Sequence, residues 1–125
     1  MNVVDSGVIV ELLTNDLDPE HLGDEELAAP HLLDSEVLNV VRRLTRGGLL
    51  NEQQGTHTID GFNRLVLTRY SADWLRPRIW ELRHNLSAYD ATYVALAEQL
   101  GATSLLTTDK RLAGAPGIHC RVVVV

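Results

Sequence analysis

Two carboxylates in the C-terminal half of the chain have positions that the residues around them predict. Asp90 lies three residues after Ser87, at the start of an alanine-rich segment that is typical of a helix ending at Gly101. Its helical neighbours at i+3 and i+4, Tyr93 and Val94, are core-type residues, so we expect Asp90 on the stripe that faces the core. Because burying an unpaired charge is costly, an acid in this position indicates a function.

Two further acids follow predicted strands directly. The apolar run 104–107 predicts a buried strand, and Asp109 comes just after its end. Residues 2–4 form a similar apolar run that ends at Asp5. We therefore place Asp5 and Asp109 at the C-terminal ends of two strands.

A fourth acid comes from a predicted helix over residues 31–46, which Gly47 and Gly48 terminate. Two acids, Asp34 and Glu36, lie on opposite flanks of its apolar stripe, and amphipathicity alone does not choose between them. Polar neighbours favour Glu36, whose flank also carries Asn39, Arg43 and Arg46. We select Glu36 for the site, and we expect the two arginines to bind phosphates.

The elements that must position these acids alternate along the chain. Strands are predicted at 2–4, 27–30, 64–70, 104–107 and 121–125, and helices at 8–13, 31–46, 51–63, 71–85 and from the Ser87 cap to residue 100. This alternation predicts a single α/β domain over residues 1–125, with a mainly parallel central sheet flanked by helices. In right-handed βαβ units the strand C-termini and helix N-termini share one edge of the sheet. All four acids are expected to converge there.

The segment 71–85 carries both tryptophans of the chain. Pro77 is compatible with a helix only in its first turn. Trp74 and Trp80 recur at helical spacing, which favours burial in the core over stacking on bases. We expect Leu75, Ile79 and Leu82 to be buried with them.

Composition limits the class of protein. The 125 residues carry a net charge of -6, but residues 1–40 hold ten acids and no Lys or Arg, whereas residues 41–125 hold eleven bases and seven acids. This asymmetry allows a basic face beside an acidic pocket. One cysteine excludes an intramolecular disulfide. The N-terminus resembles neither a signal peptide nor a membrane span, so we expect a cytoplasmic protein with no membrane association.

Four carboxylates in one pocket repel one another unless protons or divalent cations neutralise them. Oxygen ligands favour Mg²⁺ or Mn²⁺, and the five histidines show no i, i+4 pairing that would indicate zinc. Such a site is suited to phosphodiester hydrolysis, in which a metal polarises the phosphoryl group and activates a water.

These residues resemble the PIN-domain ribonucleases, in particular the VapC-like toxins of toxin-antitoxin pairs. The resemblance spans almost the whole chain and is most specific at Tyr89-Asp90-Ala91 and Thr107-Thr108-Asp109; Asp5-Ser6 and Glu36 match more weakly, and residues 48–75 match no motif. It implies a Mg²⁺- or Mn²⁺-dependent endoribonuclease, usually dimeric and silenced by a cognate VapB-like antitoxin. The implied metal-binding acids are Asp5, Glu36, Asp90 and Asp109, with Ser6, Asn39 and Thr107 in supporting positions.

Each acid also has a structural alternative. Asp5 and Asp109 are suited to capping the helices that follow them, Asp90 to completing the Ser87 capping box, and Glu36 to pairing with an arginine. Among functional classes, a non-catalytic PIN-like binding module and a phosphoacceptor α/β domain stay open. The phosphoacceptor is disfavoured because Lys110 directly follows Asp109 instead of lying near the final strand. A haloacid-dehalogenase-type phosphatase is disfavoured because Gly7 stands where a second acid is needed.

Overall fold

Five short strands form one parallel sheet at the centre of the computed structural model, which describes residues 1–125. They are β1 (Asn2–Val4), β2 (Leu27–Pro30), β3 (Thr68–Tyr70), β4 (Ser104–Thr107) and β5 (Val122–Val124), in the spatial order β3-β2-β1-β4-β5. Val3 of the central strand pairs with Ala28 on one side and Leu105 on the other. The predicted α/β domain with a parallel sheet is confirmed.

Six α-helices surround this sheet. They are α1 (Ser6–Leu13), α2 (Leu32–Arg46), α3 (Glu52–Arg64), α4 (Arg76–Glu81), α5 (Ala88–Leu100) and α6 (Lys110–Ala113), with short 3-10 turns at Pro19–Leu22, Asp73–Leu75 and Leu82–His84. The longest, α2, has 15 residues, and none of the helices has the length and apolarity needed to cross a bilayer.

The core lies between the three middle strands and the helices packed on them. β1 and β4 are buried along their whole length, and α5 is buried over seven consecutive residues, Ala91–Ala97. The alanines in this stretch allow the helix backbone to approach the sheet closely, and α5 contacts β1, β2 and β4. Asp90 is half-buried and directly precedes this stretch, so the buried residues that follow hold the first turn of α5 against the sheet.

The strand order reverses between β1 and β4. The chain passes from β1 outward to β2 and β3, then crosses back to place β4 on the other side of β1. In an open parallel sheet, the crevice at the C-terminal ends of the two strands flanking such a reversal is the usual ligand site. Here those two ends carry Asp5 and the run Thr107–Asp109.

The connection between α3 and α4 differs from the sequence prediction. The strand expected over 64–70 comprises only Thr68–Tyr70, because β2 offers just three paired positions and α3 continues to Arg64. The helix expected over 71–85 is broken into a 3-10 turn, the six-residue α4 and a second 3-10 turn. Pro77 does lie in the first turn of α4, as predicted.

The expected burial of the tryptophans was wrong. Trp74 and Trp80 are 48% and 67% exposed. The Trp74 indole donates to the Ser71 carbonyl at 2.8 Å, and the Arg83 guanidinium lies 4.5 Å from the centre of the Trp80 ring. Leu75 and Leu82 are buried in the core as predicted, and Ile79 packs against it half-buried. The break into short helical pieces leaves no continuous face for the larger rings.

Candidate active site

Asp5 and Asp109 are connected through the buried Thr107. The Thr107 hydroxyl donates to Asp5 Oδ2 and accepts from the Asp109 backbone amide at 3.0 Å. Asp5 Oδ1 accepts from the Val8 amide at 3.0 Å, so this acid does cap α1. A carboxylate has about four lone-pair sites, so both Asp5 oxygens retain capacity for a further ligand.

A glycine permits the close approach of the two strand ends. A Cβ on Gly7, in the first turn of α1, would collide with the hydroxyl of Thr108 at the end of β4. Relieving the collision would require the Thr108 hydroxyl to rotate away from α1. Glycine at position 7 therefore allows the first turn of α1 and the Thr108 side chain to lie in contact beside Asp5.

Glu36 is held by a tyrosine from another helix. The Tyr93 hydroxyl donates to Glu36 Oε1, and the Tyr93 ring is only 2% exposed. Tyr93 lies one turn after Asp90 on α5, so this bond brings Glu36 of α2 to the helix that carries the third acid. Neither Arg43 nor Arg46 forms a salt bridge with Glu36, so the structural alternative for this acid is not observed.

Asp90 and Asp109 line the same hollow, of about 270 Å³. The Asp90 amide donates to Ser87 Oγ at 3.1 Å, but the return bond from the Asp90 carboxylate to the Ser87 amide is missing. The capping box is therefore only half formed. Asp109 caps α6 through the Arg111 amide at 2.9 Å, and its carboxylate pairs with the exposed Arg111 guanidinium at 3.3 Å.

Three of the four acids have raised pKa values, and the fourth has a lowered pKa. Burial raises the pKa of Asp5, Glu36 and Asp90 above their ordinary values, and repulsion from neighbouring acids of the same group raises each pKa further. None of the three forms a salt bridge. Arg111 lowers the pKa of Asp109 instead. Asp5, Glu36 and Asp90 thus form a negatively charged group in which no acid is paired in a salt bridge.

This donor set fits a hard divalent cation in its chemistry. All four side chains offer carboxylate oxygens, and a cation would relieve the repulsion that raises three pKa values. No three His, Cys, Asp or Glu side chains lie close enough together to form a closed metal cage. An open arrangement suits Mg²⁺, which usually keeps several waters and binds through one or two carboxylates.

The other residues selected from the sequence are not all near the acids. Thr107 contacts Asp5 directly, and Ser6 begins α1 beside it. Asn39 lines a hollow with Glu36. Arg43 and Arg46 are exposed on the last turns of α2, and neither lines that hollow.

Asp34, the acid that sequence reasoning set aside, has a structural partner. Its carboxylate receives two hydrogen bonds of 2.8 Å from the guanidinium of Arg69 on β3. Two contributors to the site were missed. The hydroxyl of Tyr93 gave no signal beyond its place on the core stripe, and Arg111 lies two residues after Asp109, where its pairing with that acid was foreseeable.

A comparison with known proteins identifies the family. The model of the PIN domain family matches residues 3–118 of the chain. The chain belongs to the PIN-domain family. Ribonuclease VapC9 of Mycobacterium tuberculosis is 43% identical over 126 residues, which covers 100% of this chain and 98% of that protein. Ribonuclease VapC1 of the same species is 44% identical over 101 residues, covering 78% and 73%. The resemblance to VapC-like PIN domains is confirmed.

Solved structures show the same PIN fold. VapBC2 of Rickettsia felis, bound to a DNA fragment from its promoter, matches with a TM-score of 0.71 at 15% identity, covering 99% of this chain and 98% of that one. VapC20 of M. tuberculosis, described as a toxin that cleaves the sarcin-ricin loop, matches with a TM-score of 0.66 at 17% identity, covering 95% and 97%. At these identities the match concerns the fold of the PIN domain.

Proposed function

We propose that this PIN-domain protein is a VapC-type endoribonuclease that hydrolyses RNA phosphodiester bonds with Mg²⁺ or Mn²⁺ bound among Asp5, Glu36, Asp90 and Asp109, through one or two of these carboxylates directly and through waters to the others. The observation that carries the proposal is the group of three half-buried acids with raised pKa values and no salt bridge, at the reversal point of the sheet. The full-length similarity to VapC ribonucleases supports the same activity.

The side chains of the site have separable roles in this proposal. Thr107 orients Asp5, and Tyr93 orients Glu36. A carboxylate oxygen that does not contact the cation would take the proton of the attacking water, and Glu36 and Asp90 are the candidates for this role. A bound metal would polarise the phosphoryl group and stabilise the leaving oxygen. In the reaction a bond forms between the water oxygen and phosphorus, and the bond from phosphorus to the leaving sugar oxygen breaks.

Purified protein is expected to cleave RNA with Mg²⁺ or Mn²⁺ and to stop when EDTA is added. The reason is that without a cation the three acids repel the phosphate as well as one another. Gel analysis of a labelled RNA in each condition, followed by restoration with excess Mn²⁺, measures this dependence. Undiminished cleavage in EDTA would contradict the metal mechanism.

Replacing Arg43 and Arg46 together with alanine is expected to weaken RNA binding. The two residues lie about 10 and about 15 Å along α2 from Glu36, so they would contact phosphates beyond the one being cleaved. Each lost phosphate contact lowers the slope of log affinity against log salt by about 0.7 for a single strand. Fluorescence anisotropy over a salt series, in EDTA, gives this slope.

A matched control for this pair is the double substitution of Arg64 and Arg121. Both residues are exposed, and both lie before the N-terminal ends of strands, at the edge of the sheet opposite the acids. The control removes the same charge and is expected to leave a steeper salt slope than the α2 pair does. Equal slopes for the two double variants would mean that RNA does not follow α2.

We also propose a VapB-like antitoxin as the protein partner and a homodimer as the assembly. The support for the antitoxin is the fold match to VapBC2 of Rickettsia felis, together with full-length similarity to VapC9; the homodimer rests on the resemblance to VapC-like toxins alone. Co-purification with the product of a small neighbouring gene, and inhibition of RNA cleavage by it, is the corresponding experiment.

A further inference from the structure

A second hollow, separate from the one lined by Asp90 and Asp109, includes Glu36 in its lining. It has a volume of about 390 Å³ and is lined by Leu32, Ser35, Glu36 and Asn39 of α2 and by Tyr89 of α5. Because Glu36 belongs both to this hollow and to the acidic site, a ligand in the hollow lies directly beside the proposed reaction centre.

The wall from α5 is an aromatic ring that the protein leaves in solvent. Tyr89 is 63% exposed, whereas Tyr93, one turn further along α5, is 2% exposed and bonded to Glu36. An exposed aromatic side chain gains little from folding, and its ring remains available to pack against a ligand. The two tyrosines therefore differ in role: Tyr93 holds an acid, and Tyr89 presents a surface.

The remaining lining groups define the kind of ligand. The hollow contains an amide (Asn39), a hydroxyl (Ser35), a carboxylate (Glu36) and an aliphatic side chain (Leu32), but no lysine or arginine. This set disfavours a phosphate and suits an uncharged, flat group with hydrogen-bond donors and acceptors on its edge. In RNA that group is a nucleobase, which proteins typically stack on aromatic rings and recognise at its edge.

We propose that this hollow is a nucleobase subsite, in which the Tyr89 ring stacks on one base of the RNA and the Asn39 amide recognises its edge. The inference deepens the proposed ribonuclease function and rests on it. Tyr89 directly precedes Asp90 in the chain, and consecutive Cα atoms are about 3.8 Å apart. Glu36 lines this hollow and also belongs to the acidic site, so the bound base belongs to a nucleotide next to the scissile phosphate. Stacking on an aromatic ring tolerates any base, so Tyr89 is a binding residue and Asn39 is the specificity-determining residue.

The experiment compares wild type with Tyr89→Ala, Tyr89→Trp and Asn39→Ala on a short RNA and on versions with one abasic nucleotide at each position near the cut. Binding is measured by anisotropy in EDTA, and kcat and KM are measured with Mn²⁺. Trp80→Ala is the control, since Trp80 is equally exposed, at 67%, but lies on α4 outside the hollow.

Tyr89→Ala is expected to weaken RNA binding and raise KM about 10-fold, within the range for losing one stacked base, with a much smaller change in kcat. Tyr89→Trp should retain binding, and Trp80→Ala should match wild type. Asn39→Ala should alter the preference for the base beside the cut. An abasic nucleotide at that position should weaken wild type by a similar factor and should have little further effect on Tyr89→Ala.

Independent, multiplying effects of the abasic nucleotide and Tyr89→Ala would overturn the inference, as would wild-type binding by Tyr89→Ala. In either case the ribonuclease proposal stands if wild type still cleaves RNA with Mn²⁺. A wild-type protein that neither binds nor cleaves RNA would overturn both proposals together.

Discussion

Substituting Asp90 with asparagine is expected to lower RNA cleavage by about 100-fold or more. Loss of partners that only orient a metal ligand typically costs 10-fold to 100-fold, and the loss of a ligand itself should cost at least that much. A single-turnover RNA assay at saturating Mn²⁺ measures the effect. Glu52→Gln is the matched control, because Glu52 is also an acid in the first turn of a helix, α3, but lies outside the acidic site.

The same variant separates a metal ligand from a helix-start charge by the sign of its effect on stability. A carboxylate that serves only the helix N-terminus contributes about 0.3–1 kcal/mol, which Asp90→Asn would lose. An acid that is desolvated by burial and crowded by Asp109 destabilises the metal-free fold instead, so removal of its charge should leave stability level or higher. Denaturant unfolding in EDTA at pH 7 measures the difference.

This gain depends on pH. Folding raises the pKa of Asp90 above its ordinary value of 3.8, so the folded state keeps the proton to higher pH than the unfolded chain. Wild-type stability therefore falls as pH rises through the raised pKa. The advantage of Asp90→Asn should be complete above that pKa and should shrink towards zero as pH falls to about 3.8.

Added Mn²⁺ completes the test of Asp90. A ligand at 100 times its dissociation constant stabilises the folded state by about 2.7 kcal/mol. Wild type and Glu52→Gln should gain such an increment, and Asp90→Asn should gain clearly less. A variant that is less stable without metal, fully stabilised by metal and still active would show that Asp90 is only a helix-start residue.

The second large effect is expected at Glu36. Glu36→Ala should abolish cleavage, and Asp34→Ala should retain nearly all of it, although the two acids lie on the same helix. Asp34 pairs with Arg69 across to β3, so its loss should lower the melting temperature instead. Glu36→Ala should therefore have the lower cleavage rate of the two variants, and Asp34→Ala should have the lower melting temperature.

Tyr93→Phe gives an intermediate step in this series. It removes only the hydroxyl that orients Glu36, and a loss of about 10-fold to 100-fold is expected for such a supporting group. Cleavage that is unaffected by both Glu36→Ala and Tyr93→Phe, but lost in Asp34→Ala, would mean that the wrong flank of α2 was assigned to the site.

The strand ends that carry Asp5 and Asp109 were predicted more accurately than the segment over residues 64–85. Asp5 and Asp109 follow fully buried strands, so an error of one residue in a strand boundary does not move either acid to another edge. Glu36 was selected over Asp34 because of its polar neighbours. The structure gives Asp34 a partner, Arg69, that lies 35 residues away in sequence.

Features that depend on distant packing were beyond sequence reasoning. Trp74 and Trp80 have the spacing of a core face, but the break into short helical pieces turned them to solvent. The length of β3 depends on how many positions β2 offers for pairing. Likewise, local periodicity contains no information on whether the Tyr93 hydroxyl reaches Glu36, 57 residues earlier in the chain.

The bond between Thr107 and Asp5 joins residues 102 positions apart, and this separation has a consequence for the timing of synthesis. A growing chain contains Asp5 and Glu36 early, but it has no β4 with which to pair β1 until Thr107 has been translated. Pairing across such a distance is also slow, because a long loop must close first. For an enzyme that degrades RNA, the ribosome that makes it therefore faces an inactive nascent chain until the residue 102 positions after Asp5 has been translated.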